Sequence, residues 1–242
     1  DKFGADALRF HLMSSPVTEA QDFNFNDLGV QEAYRKVILL TANTLSFYQL
    51  YGVGNTHLGN PLSEHVLDQW IISRLHQTMQ QVTRALDAYN PVNACKSITS
   101  FVEDLSTWYL RRSRERFKQD NTQDKDNAVQ TLGHVLLQLS KILAPITPFI
   151  AEEIYKELRN NSPSLEESVH LEMWPVFDET KIDEKIMLGM ESARAIVRGG
   201  LEQRDKLKIP VRQPLARITV PGDSLEETFT AIIMDELNVK KV

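Results

Sequence analysis

Five of the eight residues from Arg111 to Lys118 are basic (Arg111, Arg112, Arg114, Arg116 and Lys118), against one acid, Glu115. Guanidinium groups are planar, permanently charged donors that match phosphate oxygens and stack on flat rings, so such a run suits a polyanion. Trp108, Tyr109 and Phe117 frame it, and aromatic rings stack on unpaired bases. For Trp108 and Tyr109 helical spacing favours the core; Phe117 falls on the helix's other side. The run carries +4 in a chain of net charge −6. A second stretch, 194–212, holds Arg194, Arg198, Arg204, Lys206, Lys208 and Arg212 against Glu202 and Asp205, again +4. The rest of the chain therefore carries −14, which argues against a generally basic binder and would repel RNA from other faces. A solvated charged helix face accounts for much of the second stretch, and cations near a helix C-terminus favour the macrodipole. Five cations pointing several ways exceed that need.

Other chemistry is missing. There is no G-x-x-x-x-G-K-S/T loop, G-x-G-x-x-G, H-E-x-x-H or paired cysteine set. The six histidines are scattered, and the adjacent carboxylates Glu152-Glu153 and Glu166-Glu167 do not face each other on a helix. No catalytic residue, metal ligand or bound cofactor is expected. The single Cys95 reads as a buried thiol in a reducing compartment. No apolar run approaches a membrane span and no leader pattern opens the chain. A cytoplasmic protein that meets neither membrane nor DNA is the expectation.

The elements that must position the basic run are helices. Ile98, Phe101, Val102, Leu105, Trp108 and Tyr109 mark one apolar face. Arg112 and Arg116 extend the line of Ile98 and Leu105, so this helix is expected to outrun its core as a basic tip. Before it, residues 4–13 read as a short helix. Asp27 opens a long helix to about Tyr51 with Val30, Tyr34, Val37, Thr41, Leu45 and Tyr48 inward, and 52–62 is a loop. Ser63 caps a helix striped by Leu67, Ile71, Leu75, Thr78, Val82 and Leu86. Asn90-Pro91 starts the basic helix, and 119–127 is a polar turn. Val129, Leu132, Leu136, Leu139 and Leu143 mark the next helix, broken at Pro145, and Thr147-Pro148 starts another to about Asn160. The fold class is thus mainly α: an antiparallel helix bundle with a small C-terminal α/β appendage. A helix at 181–205 and extended 209–215 lead into this appendage, which comprises strands 216–220 and 237–242, a turn at Pro221-Gly222 and a helix at 224–233. The expected divisions are 1–27, the bundle at 28–160, an ordered linker at 161–180 with Trp174 and Phe177 packed on the bundle, and 181–242. Asp1 at the start and a strand at Val242 suggest a piece of a longer chain.

FGADALRFHLMSS, WYLRRSRERF, LAPITPFIAEEIY, SVHLEMWP and KLKIPVRQPL follow in this order. Together they resemble the carboxy-terminal half of an isoleucyl-tRNA synthetase, a class I aminoacyl-tRNA synthetase, in its longer form resembling the eukaryotic cytosolic type. Glu115 and Lys118 depart from the pattern, which has a further basic residue and often an aromatic there. The resemblance implies that 1–27 end a stem-contact segment and that 28–160 bind the tRNA anticodon stem-loop. It implies a parent isoleucine–tRNA ligase that uses ATP and magnesium, with catalytic and editing domains elsewhere in the same chain. The signatures His-Ile-Gly-His and Lys-Met-Ser-Lys-Ser are absent, so the chain alone should be inactive. The expected tRNA contacts are Arg111, Arg112, Arg114, Arg116, Phe117 and Lys118, with Arg204, Lys206, Lys208 and Arg212. A valyl-type domain, or a helical protein-interaction module using the same tip, are the alternatives.

Overall fold

The computed structural model describes residues 2–52, 58–59, 61–120, 122–160, 162, 164–220 and 226–242. Most of the loop expected at 52–62, and the turn expected at Pro221-Gly222, lie outside the described residues. The chain forms two compact units, Asp1–Ile182 and Asp183–Val242.

In the first unit α1 (Ala5–Met13) precedes α2 (27–51), in which Asp27–Ala33 and Leu39–Tyr51 are joined through a π-helical turn, Tyr34–Ile38. Asn26, one residue before the expected cap, accepts from the Gly29 N–H at 2.9 Å. Val30, Val37, Thr41, Leu45 and Tyr48 are buried as their spacing predicts. The next helix is α3 (Val66–Asp87). Its cap is His65, whose Nδ1 accepts from the Leu67 N–H at 3.2 Å. Ser63 was expected in that role, but its hydroxyl is turned onto the Asp68 carboxylate.

The basic helix α4 (91–118) starts at Asn90, whose side chain accepts from the Asn93 N–H at 2.9 Å. It runs through Pro91–Glu103, a π-helical turn Asp104–Leu110, and Arg111–Lys118. Thr122 caps α5 (Gln123–Leu143), accepting from the Lys125 N–H at 3.2 Å. The helix therefore begins inside the stretch read as a turn; Asp124 and Asp126 lie in its first turn, where acids favour the helix dipole. α6 (Pro148–Asn160) follows the break at Pro145. Short connections make successive helices antiparallel neighbours, and Trp70, Tyr48, Tyr109, Phe101 and Tyr155 fill the interior. Trp174 Nε1 donates to Thr83 Oγ1 of α3 at 2.8 Å and Phe177 is half-buried. Cys95 is buried, and burial pushes its thiol up to about 12.

The second unit differs from expectation. It holds α7 (Glu184–Lys206) and α8 (Glu227–Leu237), and no strand is formed among the described residues. Among the described residues a single parallel bridge, Leu215 with Val239, forms just before the first segment read as a strand, and the Ile218 N–H donates to the Lys241 carbonyl at 3.0 Å. α8 continues past the expected end because Ile232, Ile233 and Leu237 are buried, which takes residues from the second segment. The stretch 209–215 is not extended throughout, since the Gln213 N–H turns back to the Pro210 carbonyl at 3.0 Å. A Cβ at Gly189 would lie 2.3 Å from the Phe229 ring, and one at Gly200 2.5 Å from Leu237. These two glycines let α8 lie close against α7, and their order shows that the helices run parallel.

His76 on α3 holds the linker by accepting the Asp178 N–H at Nδ1, 3.0 Å away. Burial, with His134 nearby, pushes its pKa down to about 4. An unfolded histidine titrates near 6.5, so between these values the unfolded chain binds the proton first. Stability is therefore lost as pH falls from about 6.5 towards 4. Between pH 7 and 5 this group is expected to contribute a loss of about 2 kcal/mol, read as a lower urea midpoint. In His76→Asn, whose amide oxygen can still accept, the midpoint should change less with pH; an unchanged pH dependence would assign the effect to other groups.

Candidate nucleic-acid interface

The basic run lies at the end of α4, but its members divide. Arg111, Arg114 and Lys118 are exposed and Arg112 is half-buried. The guanidinium carbons of Arg111 and Arg112 lie 5.7 and 5.8 Å from the Trp108 ring centroid, within cation–π range. Arg111 Nε also donates to the Thr107 carbonyl at 2.9 Å. Two cations are thus held near a ring that belongs to the core, Trp108 being 8% exposed. Lys118 pairs with Glu115 at 2.7 Å; both are exposed, so the pair contributes little to stability and offers phosphate little resistance.

Arg116 and Phe117 point inward. The Arg116 guanidinium donates from Nη1 and Nη2 to the two Asp68 carboxylate oxygens at 2.8 and 2.7 Å. It donates from Nε and Nη2 to Asp124 at 2.7–3.0 Å. Asp68 further accepts the Tyr109 hydroxyl at 2.9 Å. The expectation that α4 outruns its core therefore fails at Arg116: carboxylates on α3 and α5 meet it there. Burial opposes the Arg116 charge, but its hydrogen bonds to Asp68 and then Asp124 outweigh burial and raise its pKa. Asp124 is held below the usual carboxylate range chiefly by its hydrogen bond to Arg116. Burial, then the Asp68 charge, keeps Tyr109 protonated well above its ordinary value. Phe117 is fully buried, edge-on to Phe47 at 5.0 Å and 6.1 Å from Tyr51. Neither residue presents a group to a ligand.

In the second unit Lys206, Lys208 and Arg212 are exposed, whereas Arg204 is buried. Arg204 donates to the carbonyls of Pro210, Gln213 and Leu237 at 3.1, 3.1 and 2.6 Å. It thus ties the turn after α7 to the C-terminus of α8, which explains its burial without a carboxylate. Sequence reasoning passed over three further cations. The Lys240 N–H donates to the Leu215 carbonyl at 3.0 Å and the Ile218 N–H to that of Lys241 at 3.0 Å. This pairing sets Arg217 beside Lys240 and Lys241, all exposed.

The family model for the anticodon-binding domain of tRNA ligases matches residues 68–220. The chain belongs to this family. Both ends of the buried cluster, Asp68 and Asp124, and all of the basic tip lie in the matched span of the anticodon-binding domain. Isoleucine–tRNA ligases are similar throughout: that of Clostridium acetobutylicum is 40% identical over all of this chain and 24% of its own length. Those of Chlamydia abortus and Bacillus thuringiensis are each 38% identical over 99% of this chain, covering 24% and 23% of theirs. The chain thus spans about a quarter of the length of these relatives. Among solved structures, an Agrobacterium radiobacter LeuRS–tRNA–LeuAMS ternary complex matches 75% of the chain and 20% of its own, with a TM-score of 0.53 at 21% identity. That likeness concerns the fold. Among the described residues no helix is long and apolar enough to cross a membrane, and no group of His, Cys, Asp and Glu could hold a metal ion.

Proposed function

We propose that this chain is the anticodon-stem-loop recognition region of a cytoplasmic isoleucine–tRNA ligase and positions tRNA for aminoacylation elsewhere in the parent chain. The observation that carries the reading is the division of the basic tip within an anticodon-binding domain. Arg116 is consumed in fixing the tip, while Arg111, Arg114 and Lys118 are exposed and Arg112 is half-buried beside them. An anticodon loop offers phosphates and splayed bases together, the combination that arginines and lysines address. Lys206, Lys208 and Arg212, joined by Arg217, Lys240 and Lys241, would supply backbone contacts. ATP and magnesium belong on this reading to the catalytic part of the parent.

The test is a titration of the full-length parent with isolated anticodon stem-loops at several salt concentrations. The isoleucine stem-loop should bind more tightly than the valine one, with log affinity falling linearly in log salt as phosphate contacts require. Preference for the valine stem-loop would assign the domain to a valyl-type enzyme. Heparin competition without preference among RNAs would overturn the reading in favour of an acidic protein partner.

A further inference from the structure

Two sequence stretches far apart in the chain, FGADALRF and LAPITPF, meet in the first unit. The buried Asp6 carboxylate of α1 accepts the Ile150 N–H at 2.7 Å and the Phe149 N–H at 3.4 Å. It caps α6 from 144 residues away, where a cap normally comes from the adjoining residue. One turn along α1, Arg9 donates from Nε to the Ile146 carbonyl at 3.0 Å and from Nη2 to that of Pro145 at 3.1 Å. Acid and base on one short helix thus hold the donors that start α6 and the acceptors that follow α5. Backbone groups at helix ends lack partners within the helix, so this turn takes its fixed geometry from α1.

The other end of α5 is also held. Asp124, in its first turn, grips Arg116 in the last turn of the basic tip. Between the two attachments runs a helix of 21 residues, about 30 Å long at 1.5 Å per residue. It is buried along most of its length: Leu132, Val135, Leu136, Leu139 and Ile142 have no exposed surface. The tip and α1 are therefore joined through one supported strut. On the ligase reading, an RNA held at the tip must also reach a distant part of the parent chain, where its other end reacts.

We propose that Asp6 and Arg9 are positioning residues that set the reach between the RNA-holding tip and the rest of the ligase, without touching RNA themselves. This rests on the ligase reading above. The test uses the full-length ligase with Asp6→Ala, Asp6→Asn and Arg9→Met. Three quantities are compared: isoleucine-dependent ATP–pyrophosphate exchange without tRNA, affinity for the isolated anticodon stem-loop, and kcat/KM for aminoacylation of whole tRNA. In Asp6→Ala and Arg9→Met, aminoacylation should fall about ten- to a hundred-fold, as misplacement remote from the chemistry does. Exchange and stem-loop affinity should stay unchanged, and Asp6→Asn, whose amide oxygen still accepts, should restore aminoacylation. Unchanged aminoacylation in Asp6→Ala overturns the proposal, as does a parallel fall in all three quantities, the mark of a merely structural role. A wild-type ligase that ignores the stem-loop overturns the underlying reading, and the inference with it.

Discussion

Arg116→Met is expected to lower the stability of the first unit by about 3–5 kcal/mol and to leave the salt dependence of RNA binding unchanged. The guanidinium and Asp68 are both nearly excluded from solvent, at 8% and 1% side-chain exposure. Removing the cation strands a buried carboxylate, which is where the penalty for breaking a buried pair arises. Asp124 is 39% exposed and rehydrates, so Asp124→Asn should cost much less, about 1 kcal/mol. In Arg116→Met with Asp68→Asn no charge is left stranded, and part of the loss should return as a coupling energy in the double-mutant cycle. Urea midpoints of the four proteins decide the matter. A contact between Arg116 and phosphate would instead show as a salt slope lower by about one, with stability little altered.

The difference between these outcomes turns on two features, one on α3 and one on α4, only the first of which left a trace in the sequence. Asp68 stands on the apolar stripe of α3, one turn before Ile71 and two before Leu75. An acid on a face that must be buried implies a buried cation, and Arg116 was available on the neighbouring helix. The second feature is the π-helical turn Asp104–Leu110. A π turn holds one residue more than an α turn, so residues beyond it are rotated by about 100° from the α-helical phase. Extrapolating that phase puts Phe117 on the outer side; with the turn inserted, Phe117 rotates onto the line of Leu105 and meets Phe47. Nothing in the residue types from Asp104 to Leu110 distinguishes this turn from ordinary helix, because it is set by packing across helices.

Helix positions were legible because their signals are local: Asn90-Pro91, Pro145 and Thr147-Pro148, with apolar stripes at helical spacing. The second unit was harder for the opposite reason. Ala216–Val220 and Asn238–Val242 carry strand-like composition, but the contacts between them among the described residues, the Leu215–Val239 bridge beside the first segment and the Ile218 N–H on the Lys241 carbonyl, do not extend into a ladder, and Leu237 was taken into α8 by burial against α7. Arg204 shows the same limit at a single residue. Its charge reads as surface in the sequence, yet three carbonyls brought together by the α7–α8 pairing accept it in the interior.

Reversing charge at the exposed tip tests the remaining cations without disturbing that interior. Arg111→Glu with Arg114→Glu should weaken binding of the anticodon stem-loop a hundred-fold or more. Each charge-assisted hydrogen bond to phosphate contributes about 1.5–3 kcal/mol, and two such losses give about 3–6 kcal/mol. Both side chains are solvent-exposed, so helical circular dichroism should be retained. The slope of log affinity against log salt should fall by about two, one for each phosphate contact removed. The counterpart pair in the second unit, Lys206→Glu with Lys208→Glu, separates the two basic surfaces. A comparable loss there would make both units phosphate-binding, whereas unchanged affinity would confine the contact to the tip of α4. Wild-type affinity in Arg111→Glu with Arg114→Glu would remove the tip from the interface, because two reversed charges on one helix end must weaken any phosphate contact made there.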